Sequence, residues 1–158
     1  MAASPLTDAE RAFFLALLRR HVRFAVVGMS AALLQGARGA TEDIDVWFGD
    51  PSDPAIWEAA REVGAIYVSG SFGMRPPSIG GGDLGDRIDV VTHMHGLEPF
   101  DAESTGLIDA VVDPELSLPV LPLERILASK RAAGRPKDLA QIPSLETALK
   151  VAAYPRVE

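Results

Sequence analysis

A mixed α/β (α+β) domain, with a sheet flanked by helices and a helical tail at its C-terminal end, is the fold class that the sequence predicts. Short apolar runs recur between segments of helical spacing, the two kinds interleave as far as about residue 121, and the pattern from Pro122 onward is helical. The 158 residues, 47% of them hydrophobic, are enough for one compact core and too few for two. A single domain 1–158 is therefore expected, with its core in 22–121 and C-terminal helices in 122–150.

The elements follow in order. Thr7 and Glu10 have capping-box spacing, and Phe13, Phe14, Leu17 and Leu18 then recur at helical intervals, which predicts a helix over 8–20. "VRFAVVG" is a strand ending at Gly28, and "MSAALLQG", poor in β-branched residues and closed by glycine, is a short helix entered directly from it. "DIDVWF" is a strand, "DPAIWEAAREVG" a helix and "AIYVSG" a strand. Residues 70–86, which include Arg75, are dense in Gly and Pro and read as a loop of the length that often covers a site. "RIDVVTH" and "GLIDAVV" are two further strands. A helix runs through "LERILASKRAAG", and one or two more follow Pro136 and Pro143.

Composition excludes several chemistries. With no cysteine there is no disulfide, no thiolate nucleophile and no Cys-ligated zinc, so any metal must sit on oxygen or imidazole. A net charge of −7 opposes broad attachment to nucleic acid or anionic membrane. The longest early apolar run is too short to span a bilayer, and Asp8 and Glu10 stand where a signal peptide carries positive charge, so a cytoplasmic protein with no membrane partner is expected.

The acids in "DIDVWF" carry the chemistry. Alternation in a strand places Asp43, Asp45 and Trp47 on one face and Ile44, Val46 and Phe48 on the other, core-facing side. In "RIDVVTH" the same rule sets Ile88 and Val90 inward and Arg87, Asp89, Val91 and His93 opposite. If these strands are neighbours, three carboxylates converge, and a divalent cation is the usual remedy for that repulsion. Gly28, between a strand and a helix, would let a phosphate approach backbone N–H groups. Neither a dinucleotide fingerprint nor a Walker loop is present: Ser30 and Leu33 stand where the former needs glycine, and there is no Gly-Lys-Ser/Thr triplet.

Taken together, "VVGMSAALLQGARGATEDIDVWF", "RIDVV" and "LERILASKRAAGRPKDLAQIPSL" resemble the minimal nucleotidyltransferases of the polymerase-β-like superfamily, in the branch of AbiEii-type toxins and related small stand-alone proteins. The resemblance implies that Gly28 with Ser30 cradles a triphosphate, that Arg38 and Thr41 belong to the nucleotide-binding run, and that Asp43, Asp45 and Asp89 are the catalytic acids and metal ligands. It further implies that Lys130, followed by Gly134, Arg135, Lys137 and Asp138, reaches toward the phosphates. Met29 departs from the family's Gly-Gly/Ser pair, and Gln141 stands where an Asp often follows the Lys-Asp pair. The alternative for each is structural and needs no nucleotide: Arg38 would merely offset the acid pair, Thr41 would serve a turn, and Asp138 would complement a helix dipole. His93 and His95 flank the acids and receive no role.

The expected function is Mg²⁺-dependent (or Mn²⁺-dependent) nucleotidyl transfer from an NTP to an acceptor hydroxyl, with release of pyrophosphate. The acceptor, whether tRNA, protein or small molecule, stays open. The acidic balance disfavours a large RNA unless Arg125, Lys130, Arg131, Arg135 and Lys137 form one patch. The alternative is a non-catalytic module of the same fold, one partner of a toxin–antitoxin pair.

Overall fold

A computed structural model of the chain describes residues 6–70 and 76–153. Helix α1 (Asp8–Arg19) begins at the expected capping box: Thr7 Oγ1 accepts from the Glu10 amide at 3.1 Å, and Glu10 Oε1 accepts from the Thr7 amide at 2.9 Å. Its Phe13, Phe14 and Leu17 are fully buried, and Arg87 reaches the buried Glu10 carboxylate at 3.1 Å, tying the helix to the sheet.

Strand β1 (Phe24–Val27) is buried along its whole length because it lies in the middle of a five-stranded sheet. It runs directly into α2 (Gly28–Leu34). After β2 (Ile44–Phe48) comes α3 (Pro54–Glu62), capped by Asp53, whose side chain accepts from the Ala55 amide at 2.9 Å, with Pro54 in its first turn. Strands β3 (Ile66–Val68) and β4 (Ser78–Gly80) form a separate two-stranded ribbon, in which Tyr67 packs edge-on against Trp57 of α3. Then follow β5 (Ile88–Val91), the short α4 (Phe100–Glu103), β6 (Ile108–Asp113), β7 (Leu116–Val120), α5 (Leu123–Ala133) and α6 (Pro136–Ala153).

The large sheet has the order β5-β2-β1-β7-β6 and is mixed: β2 is antiparallel to β1 and parallel to β5, and β7 is parallel to β1 and antiparallel to β6. This is the expected class, a mixed α+β sheet flanked by helices with a helical end. No helix among the described residues is long and apolar enough to cross a membrane.

Three differences from the sequence expectation, and one choice it left open, have physical causes. The expected loop 70–86 contains β4 and a single 3-10 turn, Gly82–Leu84, that buries Leu84 to 2% exposure; Arg75 lies outside the described residues. Strand β7 is not announced by the sequence, because Pro119 interrupts it; the proline is accommodated opposite Asp109 while Leu116, Leu118 and Val120 turn inward. Of the one or two helices expected after Pro136 the structure has one, with the exposed Pro143 inside it, where a lost backbone hydrogen bond is solvated. Finally, Trp47 shares the acid-bearing face but is only 3% exposed: Phe100, arriving from α4, meets its ring edge-on at 5.2 Å between centroids. That face is open at the acids and roofed beyond them.

Candidate active site

The site grows from the junction of β1 and α2. Val27 is paired with Asp45 across the antiparallel ladder, and Asp45 with Asp89 across the parallel one, so both acids stand side by side on one sheet face. Gly28 turns the chain out of β1 with φ +64°, a left-handed conformation that favours glycine. Its missing side chain makes room for Asp45: a Cβ at position 28 would lie closer than 3.0 Å to Asp45 Oδ2. The Ser30 hydroxyl donates to the Val27 carbonyl at 2.9 Å and accepts from the Asp45 amide at 3.1 Å, which pins the strand carrying Asp45 to the first turn of α2.

Electrostatics at the two acids follow from this packing. Burial pushes the Asp45 carboxyl up to about 6, with Asp89 and Asp43 adding repulsion and Lys130 and Lys137 opposing it. Asp89 is raised as well, first by burial and then by the charge of Asp43 and a hydrogen bond with it; Lys137 opposes the rise. All three acids therefore feel one another.

Asp45 and Asp89 open onto a cleft of about 300 Å³, whose opposite wall is built by α5 and the start of α6. Gly28, His93 and His95 line the carboxylate side, and Lys130, Arg135 and Lys137 the other. Helix α5 ends at Gly134 in the left-handed region, and α6 starts two residues later, bringing these cations together. The fully buried Asp138 organises the elbow. It accepts from Lys130 Nζ at 3.3 Å and from Arg135 Nε at 2.7 Å and the Arg135 amide at 3.2 Å. Burial alone would raise its carboxyl, but hydrogen bonds from Arg135 and Lys130 hold it below the usual carboxylate range.

Of the residues singled out from the sequence, Gly28, Asp45, Asp89 and Lys130 meet in this cleft. Asp43 lies beside Asp89 but lines a neighbouring cavity of about 160 Å³ together with Ser30, Thr41 and Arg87. The Thr41 hydroxyl is occupied locally, donating to the Asp43 carbonyl at 3.0 Å and accepting from its amide at 3.3 Å. Arg38 is exposed and faces a different groove, against Pro143, Ser144 and Thr147 of α6. Met29 points away from the cleft: it is 5% exposed and packs beneath Gly39. Lys137, His93 and His95 line the cleft without having been assigned to the site. Lys137 stands in the Gly-Arg-x-Lys-Asp run, and strand alternation sets His93 on the face of Asp89, with His95 close by, without giving either histidine a role. The C-terminal cations do not form one free patch, since Arg125, Arg131 and Arg135 pair with Glu103, Glu146 and Asp138.

No group of three His, Cys, Asp or Glu side chains among the described residues is close enough to hold a metal ion as a protein cage. The donor set fits Mg²⁺ in another way. That ion takes one or two carboxylates and completes its shell with water and substrate phosphate, and Asp45 and Asp89 offer two adjacent carboxylates whose mutual repulsion a cation relieves.

No family model matches the chain, and no curated protein matches it. Among solved structures it is similar to the crystal structure of ANT(2")-Ia in complex with adenylyl-2"-tobramycin, with a TM-score of 0.59 and 14% sequence identity over 90% of this chain and 88% of that one. The chain has a nucleotidyltransferase-like fold. At that identity the likeness concerns the path of the backbone, so the roles of individual side chains rest on the cleft itself.

Its internal bonding leads to a direct expectation. Ser30→Ala removes both hydrogen bonds of the hydroxyl, to the Val27 carbonyl and from the Asp45 amide, which should cost about 1–2 kcal/mol in urea denaturation. An unchanged midpoint would show that the Ser30 bridge is not formed.

Proposed function

We propose that the chain is a Mg²⁺-dependent nucleotidyltransferase that moves an NMP from an NTP to an acceptor hydroxyl. The observation that carries this reading is the cleft in which Asp45 and Asp89, paired across adjacent parallel strands, face Lys130 and Lys137. The fold supports it, since the similar structure holds an adenylylated acceptor, adenylyl-2"-tobramycin.

The residues divide the work by charge. Lys130 and Lys137 attract the triphosphate and offset negative charge that grows on the departing pyrophosphate. Lys130 is held for this by Asp138, and Gly28 leaves the approach over Asp45 open. The acceptor oxygen attacks the α-phosphorus and forms a new P–O bond. The bond from that phosphorus to the bridging oxygen breaks, its electron pair leaving with pyrophosphate. Asp89, raised and solvent-accessible, takes the acceptor's proton. Asp45 and Asp89, with Asp43 beside them, would hold Mg²⁺, which supplies charge neutralisation on the phosphates and activation of the attacking oxygen. Arg38 and Thr41 act at a distance in this reading, Thr41 by shaping the turn that presents Asp43.

The test is thermal stability with each NTP, with and without Mg²⁺, on the native chain and on Asp45→Asn. A Mg²⁺-dependent rise of several degrees with at least one NTP, lost in the variant, is the expected result; at a hundredfold excess over Kd, binding contributes about 2.7 kcal/mol. No shift with any NTP in a cooperatively melting protein would sink the reading.

That outcome would favour a second one, a non-catalytic module of the AbiEii-type branch that binds a toxin or antitoxin partner. Met29 and Ser30 motivate it, because both side chains of the phosphate turn are turned into the protein.

A further inference from the structure

Beyond His93 the sheet face carries a second hollow, of about 290 Å³, which the nucleotide chemistry does not use. His93 is the one residue, among those described, that lines both this hollow and the cleft. Trp47 and Phe100, themselves nearly buried, meet edge-on beneath it, Leu97 and Pro99 close the side, and polar and apolar surface share the lining about equally. Thr92 and Glu98 supply its polar edge, and Glu98 is its only carboxylate.

The hollow is preformed. At Gly96, where φ is +73°, a Cβ would fall closer than 3.0 Å to the Ala132 side chain of α5, so the segment after β5 is packed directly on that helix. The Glu98 amide donates to Glu103 Oε2 at 2.9 Å, and Glu103 is clamped in turn by Arg125. Thr92 lies three residues past Asp89 in the same strand direction, roughly 10 Å away.

Charge decides what fits there. The cations Lys130, Arg135 and Lys137 all line the cleft and none lines the hollow, so phosphate is drawn to the first in preference to the second. The hollow accepts the partner that is neutral or cationic, and it lies on the Asp89 side, where an acceptor hydroxyl must arrive. Its size matches one planar ring with short arms. Arg23, which lies over the Phe100 ring, is paired with Asp101, and the chain's net charge of −7 opposes a polyanionic RNA.

We propose that this hollow is the acceptor subsite, taking a compact hydroxyl compound with a planar apolar body and a single amine that pairs with Glu98. The proposal rests on the nucleotidyl-transfer reading above.

Tyramine and its amine-free counterpart 4-ethylphenol are suitable probes, titrated into the full chain with binding followed by protein-observed NMR. Native protein should bind tyramine saturably, and 4-ethylphenol about tenfold more weakly. Thr92→Phe, which fills the hollow from an exposed position outside the cleft, should weaken tyramine at least about tenfold and leave the Mg²⁺-NTP thermal shift intact. Leu97→Trp is the second filling variant, and its agreement with Thr92→Phe excludes a fault of one fold. No saturable binding of either probe, or equal binding by both variants, with the NTP shift present, overturns the acceptor subsite alone. Equal binding of the two probes removes the amine from the proposal. Loss of the NTP shift from the native chain overturns the nucleotidyl reading and this subsite with it.

Discussion

Asp45→Asn should severely impair nucleotidyl transfer and, in the absence of metal and nucleotide, make the protein more stable at neutral pH. The two effects have one origin. Asp45 is a largely buried carboxylate with Asp89 and Asp43 close by, and its carboxyl is pushed from 3.8 to about 6. Because the folded value lies above the unfolded one, the folded chain retains a proton that the unfolded chain releases between about pH 4 and pH 6. Stability is therefore greatest below that window, falls as pH rises through it, and stays reduced above. The penalty at pH 7.5 is on the order of 2 kcal/mol, after discounting for the part of the carboxylate that solvent reaches. Asparagine carries no charge and escapes it. Transfer, by contrast, should fall on the order of a thousandfold, because the group that faces developing charge is gone. Urea unfolding from pH 4 to 8, with EDTA present, reads the first effect: native stability should decline across the window and the variant's should decline less, leaving the contribution of Asp89. A variant that is less stable than the native chain at pH 7.5 would mean that Asp45 is compensated within the protein and needs no cation.

Strained acids at a cleft are a mark of function more than of folding. The pair was legible in the sequence because strand alternation is a local rule, and "DIDVWF" and "RIDVV" each obey it without help from the rest of the chain. Their pairing as β2 and β5 then follows from sheet order, and the register places Asp45 opposite Asp89. What could not be read locally were the roles set by distant partners. Ser30 and Thr41 look like phosphate and nucleotide ligands by position, yet their hydroxyls are consumed by backbone groups. Arg38 is four residues from α2 in sequence but looks out toward α6. The roof on Trp47 comes from Phe100, far along the chain, and the histidines reach the cleft because the segment behind them is packed on α5 through Gly96. Asp138 shows the same division. Its place in the first turn of a helix was plain, whereas its grip on Lys130 depends on the elbow at Gly134.

Gly28→Ala should cost more activity than stability, and the comparison with another glycine shows why. Any L-residue at position 28 adopts a left-handed backbone at about 1–2 kcal/mol. Gly64, at the end of α3, has a similar positive φ and nothing within 4 Å of an added Cβ, so Gly64→Ala meets that backbone cost alone. At Gly28 the new methyl also collides with Asp45 Oδ2, the movable end of a side chain. The chain can relieve this by rotating the carboxylate away, which spares the fold and misplaces the acid. Both variants should therefore lose similar stability, while Gly28→Ala alone should lose transfer about a hundredfold or more, the scale expected for a misplaced reacting group. The coupling is testable in a cycle with Asp45→Ala. Once the carboxylate is absent, Gly28→Ala should cost only its backbone strain, and the Mg²⁺-NTP thermal shift should be equally absent in the single Asp45→Ala and in the double variant. If Gly28→Ala keeps native activity, the close approach of Gly28 and Asp45 has no part in holding the acid, and Ser30 alone positions it.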